Sequence, residues 1–182
     1  MGHLRLVATP SPVLTPESAC LDAFERELEY IFATLRRLGA SSHEVEDLAQ
    51  ELFVVLHRNW SVLDTSRPLR PYLFGIAFRL VSAHRRRARE VLSADFEAID
   101  EAMSPECSLQ SKQALGLLLT ALETVPLPRR AVVIMHDLDE IPIVEVARSL
   151  AISRFGAYAR LRQGRSELKA AVRRLLRGRA TL

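Results

Sequence analysis

Apolar residues recur three and four positions apart along most of this 182-residue chain, and no segment shows the strict two-residue alternation of a half-buried strand. That period belongs to amphipathic helices, so the sequence predicts an all-helical protein. From about Pro16 to Leu38, the residues Leu21, Phe24, Leu28, Ile31, Phe32 and Leu35 share one helical face, and Gly39 suits the stop. Ser41 or Ser42 can cap a second helix reaching about Asn59, with Glu44, Glu46 and Asp47 at its positive end and Val45, Leu48, Leu52, Phe53, Val55 and Leu56 on its buried side. Ser61 to Pro71 holds Asp64, Ser66, Pro68 and Pro71 and predicts a loop. A third helix follows from Tyr72 to about Arg89, apolar at Leu73, Ile76, Ala77, Leu80 and Val81.

The period is lost from Glu90 to about Ser111, where Asp95, Glu97, Asp100, Glu101, Pro105 and Glu106 fall. It returns with Leu115, Leu118, Leu119 and Leu122, a helix ended near Val125 by Pro126 and Pro128. Arg129 to Met135 predicts a short apolar helix and His136 to Glu140 a polar turn. Pro142 fits the first turn of a helix carrying Val144, Val146, Ala147 and Leu150. Ser153 can cap a long final helix with Ala157, Leu161, Leu168, Val172 and Leu175 inward. The expected organisation is therefore a flexible arm over 1–16, one small helical domain over 17–90, a flexible acidic linker over 91–111, and a second helical domain over 112–182.

The chain is 48% hydrophobic, yet no run approaches the roughly 18 apolar residues of a membrane span, so no membrane insertion is expected. Pro10, Pro12 and Pro16 interrupt the start before a secretory core can form, and Cys20 and Cys107 lie far apart without CxxC or clustered histidines. A cytoplasmic protein with reduced thiols, no metal and no cofactor is the expectation. Catalysis is not expected either: Asp47 and Glu51 sit one turn apart, but no third ligand, phosphate loop or nucleophile with a positioned base accompanies them.

Charge is distributed more tellingly than the net +3 suggests. Among the 25 Lys and Arg, only Lys112 and Lys169 are lysines, so nearly all positive charge is guanidinium, a planar donor fork that suits phosphate and guanine edges. Arg67, Arg70, Arg79, Arg85, Arg86, Arg87 and Arg89 form one block without an acid, and the chain from Arg148 onward forms another opposed only by Glu167. Two basic modules separated by an acidic segment suit two contacts with one polyanion.

The helix pair about Ala151, Ile152 and Ser153 has small Ala147 at the crossing, a tight turn, a Ser cap and a basic second helix. This is the order of a helix-turn-helix, whose second helix enters the major groove. Its exposed face would offer Arg154, Phe155, Tyr158, Arg162 and Arg165, with Arg160 nearby. Ala151 stands where Gly is usual, a cost of about 1 kcal/mol if its backbone is left-handed.

Several of these segments carry a family likeness. Asp47-Leu48-Ala49-Gln50-Glu51-Leu52-Phe53 resembles the DLxQExF helix, and Tyr72-Leu73-Phe74-Gly75-Ile76-Ala77 the WLxxIA helix, of bacterial RNA polymerase sigma factors of the extracytoplasmic-function group. Leu122 to Arg130 is similar to that family's ALxxLPxxxR, and Val144 to Ser153 to its EIAxxLGIS. The likeness runs in order over about residues 20 to 176. It implies a two-domain, all-helical transcription initiation factor whose partners are core RNA polymerase, through the clamp coiled coil and the flap region, and promoter DNA. Such proteins commonly have an anti-sigma protein as a further partner.

Carried over by position, Asp47, Leu48, Gln50, Glu51 and Phe53 would bind the polymerase clamp. The loop and helix with Asp64, Arg67, Arg70, Arg79, Arg85, Arg86 and Arg87 would capture unstacked bases at the proximal (−10) element. Ser153, Arg154, Phe155, Tyr158, Arg160, Arg162 and Arg165 would read the distal (−35) duplex. The chain departs from the family pattern at Phe78, Arg79 and Ala83, and again from Phe155 to Ala159, which leaves open a divergent promoter sequence or a loss of promoter reading. Two other readings stay open on the residues alone: a sigma-like adaptor or decoy that binds polymerase or another protein without opening promoters, and a helix-turn-helix repressor.

Overall fold

The structure, a computed structural model, describes residues 16–92 and 109–179. Eight α-helices and no strand occur among the described residues: α1 (Pro16–Arg26), α2 (Leu28–Leu38), α3 (Ser42–Asn59), α4 (Leu69–Leu92), α5 (Leu109–Glu123), α6 (Leu127–Val133), α7 (Ile143–Ser149) and α8 (Arg154–Arg179). The expected arm over 1–16 lies outside the described residues apart from Pro16, which begins α1, and most of the expected linker lies outside them too, as does Cys107. Cys20 is buried and unpaired.

The first predicted helix is two helices. The chain breaks at Glu27, which no Pro or Gly announces, and the break lets α1 lean over α3 so that the Phe24 and Phe53 rings meet edge to face at 4.9 Å. Gly39 ends α2 with φ 91°, a left-handed cap that suits glycine. Ser41 then starts α3 through a capping box: its backbone N–H donates to Glu44 Oε2 at 2.7 Å, while its side chain accepts from the Glu44 backbone. Such a cap is worth about 1 kcal/mol.

The predicted loop is shorter than expected. A 3-10 turn covers Trp60–Val62, and α4 starts at Leu69, with Pro71 inside its first turn. Proline is tolerated there because the first four helical N–H groups have no intrahelical partner to lose. At its far end α4 continues to Leu92, and α5 begins at Leu109, so both helices reach into the expected linker.

In the C-terminal half the predicted short helix is α6, and the polar turn after it begins as a π-helical turn over Ile134–Leu138. It ends in strained backbone, because Glu140 has φ 55°. Pro142 stands just before α7 rather than within it. The helix-turn-helix is present as α7, the turn and α8; Ala151 has φ 52°, the left-handed conformation that costs about 1 kcal/mol without glycine. Ser153 Oγ accepts the Gly156 N–H at 3.0 Å and caps α8.

The two halves pack directly on each other. α2 lies against α5 and α6, and α4 against α7, so Leu35, Phe74, Leu122, Ile134 and Val146 belong to one continuous apolar core. Gly75 marks the closest approach: a Cβ there would stand 2.8 Å from the Ser149 carbonyl oxygen. Only glycine lets α4 sit this close to the end of α7.

Candidate polymerase and nucleic-acid interfaces

On α3, Asp47, Gln50 and Glu51 are exposed as expected. Leu48, on the buried side that the apolar period gave it, is only 3% exposed and is a core residue that holds α3 in place. Phe53 is half-buried on the rim of an apolar groove of about 410 Å³ that Leu21, Phe24, Leu28, Phe32 and Val54 also line. Val54, 44% exposed, joins the Gln50–Glu51 face one turn on. Sequence pattern missed Val54, because an apolar residue beside three buried-side positions is indistinguishable by type from a core residue. An acidic rim next to an apolar groove suits a partner helix that carries both basic and apolar side chains.

The basic residues of the first block are used unequally. Arg67 pairs with Asp64 at 3.3 Å, and Asp64 also accepts from the Ser66 backbone and hydroxyl; those Ser66 bonds and Arg67 hold its carboxyl below the usual range. Arg70 bonds Glu27 at 2.8 Å and lies over the Tyr30 ring. Arg85 turns inward and donates to the Gly39 carbonyl at 3.0 Å, so it serves the fold. Arg86 and Arg87 are exposed, and neither meets a carboxylate among the described residues. Arg79 is exposed and lines a cleft of about 1200 Å³ between the halves, which Arg148, Trp60 and Tyr72 also line.

On α8, Arg154, Phe155, Tyr158 and Arg162 are exposed, with Phe155 84% and Tyr158 55% accessible. Arg160 is half-buried at the flank. Arg165 is engaged by Asp137 through two bonds of 2.9 and 2.6 Å, which raise its already high pKa. The expected duplex-reading face is therefore Arg154, Phe155, Tyr158 and Arg162, with Ser153 in the capping role.

The seam between the halves carries polar contacts that no local pattern announces. Asp139, on the strained turn after the π-helical segment, accepts from Tyr30 Oη at 2.9 Å and from Arg37 Nη1 at 3.0 Å. Burial raises the Asp139 carboxyl above the ordinary range, with Tyr30, Arg37 and Arg70 acting in the opposite direction. Burial and the Asp139 carboxylate together raise the Tyr30 hydroxyl. Arg130, 1% exposed, donates to the carbonyls of Val125 at 3.1 Å, Glu123 at 2.6 Å and Leu38 at 2.9 Å. Its guanidinium thereby closes the C-termini of helices in both halves, where the carbonyl ends favour a cation. Burial, and then neighbouring Arg85, lower its pKa to about 10.

Among the described residues no group of three or more His, Cys, Asp or Glu is placed to hold a metal ion, and no helix is long and apolar enough to cross a membrane.

Residues 23–91 match the family model described as Sigma-70 region 2, and residues 115–168 match Sigma-70, region 4. The ECF RNA polymerase sigma factor SigW of Bacillus subtilis is 23% identical over 87% of this chain and 91% of its own length. The ECF RNA polymerase sigma factor SigE of Mycolicibacterium smegmatis is 26% identical over 76% of this chain, which spans 56% of that longer protein. Among solved structures, the sigma factor RpoE in complex with the anti-sigma factor NepR, from Bartonella quintana, superposes with a TM-score of 0.65 at 22% identity, covering 84% of this chain and 98% of that one. CnrH in complex with the cytosolic domain of CnrY superposes with a TM-score of 0.58 at 21% identity, covering 84% and 86%. With both regions matched in family order on one all-helical fold, this chain belongs to the sigma-70 family, as a sigma factor of the extracytoplasmic-function group with a role in transcription initiation.

Proposed function

We propose that this protein binds core RNA polymerase through the exposed acidic and apolar face of α3, opens the −10 element with the loop before α4 and the basic end of that helix, and reads the −35 duplex with α8. The observation that carries this reading is the separation of surface chemistry. Asp47, Gln50 and Glu51 stand exposed on one helix, whereas Arg86 and Arg87 on α4 and Arg154 and Arg162 on α8 stand exposed without a carboxylate partner among the described residues. Guanidinium groups in that state are available to phosphates, whose contacts position a protein on DNA. The cleft with Arg79, Trp60 and Tyr72 offers the aromatic and cationic surroundings that an extruded base requires.

Engagement of both elements requires the halves to separate. The elements lie about 25 base pairs apart, about 85 Å at 3.4 Å per step. A compact chain of this length is about 40 Å across. The packed form is therefore the resting one, and polymerase binding holds the halves apart. The solved relatives named above are complexes, one of them with an anti-sigma factor, and a protein of that kind that favours the packed form belongs to this reading.

Permanganate reactivity of thymines on promoter DNA tests the opening step. With core polymerase, the protein should make thymines of the proximal element reactive; duplex binding without reactive thymines would favour the adaptor or decoy reading.

A further inference from the structure

Phe155 at the start of α8 has no task in a purely electrostatic contact with DNA. Phe155 and Tyr158 lie one turn apart, with Arg162 a turn further, all exposed, while Ala157 and Leu161 are buried. Leu150 to Ser166 contains no acidic residue, so this face is cationic wherever it is charged, and a polyanion suits it better than an acid-binding protein surface would. The Ser153 cap fixes the first turn that carries Phe155.

A phenyl ring can neither donate to a phosphate nor bond a base edge. In the major groove one group remains for it, the C5-methyl of thymine, which is the apolar feature that distinguishes a T·A pair there. We propose that Phe155 selects thymine by packing on its C5-methyl group, so that the upstream element of this protein's promoters carries thymine where the first turn of α8 meets the groove. The inference rests on the assignment of α8 as the duplex reader. Arg154 and Arg162, which flank the rings, supply the phosphate contacts that set the register.

Holoenzyme assembled from core polymerase and the full chain is used to select duplexes from a randomised upstream pool, and each enriched thymine is then replaced by deoxyuridine, which removes the methyl alone. At one position binding should weaken about fourfold on loss of the methyl. In Phe155→Ser, whose exposed site leaves the core intact, that sensitivity should disappear. Enriched duplexes insensitive to deoxyuridine everywhere would overturn the inference while leaving α8 as the reader. No enriched upstream element would overturn the α8 assignment, and the inference with it. If Phe155→Ser kept the full deoxyuridine sensitivity but lost binding to an anti-sigma partner, the ring would belong to a protein interface and the inference would fall.

Discussion

The hydroxyl of Tyr30 on α2 donates to the carboxylate of Asp139 at 2.9 Å, a bond between residues 109 apart in sequence that ties one half of the molecule to the other. Arg37 completes the clasp from the same helix. Replacing Asp139 with Ala leaves a buried hydroxyl and a guanidinium without their acceptor, a loss of about 2 kcal/mol across the seam. A donor at His43 and an acceptor at Lys169, both exposed, should report a shift toward the separated form, with helical content unchanged. Gly75→Val should produce the same shift by a different route, since its side chain meets the Ser149 carbonyl.

The clasp also predicts a pH response. The Asp139 carboxyl is raised by burial in the packed form, against the lowering effect of Tyr30, Arg37 and Arg70. The packed form then holds its proton more tightly than the separated form does. Its contribution is complete below the ordinary carboxylate pKa of about 4 and is lost as pH rises through the raised value. Energy transfer between the same two labels should therefore decline from about pH 4 upward, and the decline should be absent in Asp139→Asn. An identical slope in that variant would assign the response to another group.

Arg130 is the second tie. Substitution by Met keeps the aliphatic volume and removes donors from three carbonyls, those of Leu38, Glu123 and Val125. A loss of about 3 kcal/mol follows, near 10 °C in midpoint by thermal denaturation. An unchanged midpoint would mean that water satisfies those carbonyls as well as the guanidinium does.

Much of the fold was legible because its helices have clear signals. The apolar period of α3, the Gly39 stop and the Ser41 and Ser153 caps are all local, and each stands where the sequence placed it. The break at Glu27 was not legible, because the packing of Phe24 on Phe53 sets it and no breaker residue does. The same limit applies to the arginines: sequence shows a run of like charge, but Arg85 turns to Gly39 and Arg165 to Asp137 for reasons of tertiary approach. Asp139 sat in what the pattern could describe only as a polar turn. Leu48 was carried over with its motif, although its place one turn from Val45 and one turn from Leu52 made it part of the core.

Division of labour between two faces of the N-terminal half can be separated by charge reversal. Arg86→Glu with Arg87→Glu should reduce promoter opening at least tenfold while leaving affinity for core polymerase near that of the unaltered protein. Asp47→Arg should instead reduce affinity for the core enzyme. Fluorescence-detected core binding and permanganate reactivity, measured on both variants, separate the two effects; equal loss of both activities in both variants would contradict the assignment of the two faces.

The most direct measurement of the central claim is run-off transcription from a genomic promoter library by purified core polymerase, with and without this protein, with start sites read by sequencing. Starts that depend on the protein and share two spaced upstream elements are the predicted result. Retained binding to the core enzyme with no new starts would contradict the claim that the protein directs promoter-specific initiation.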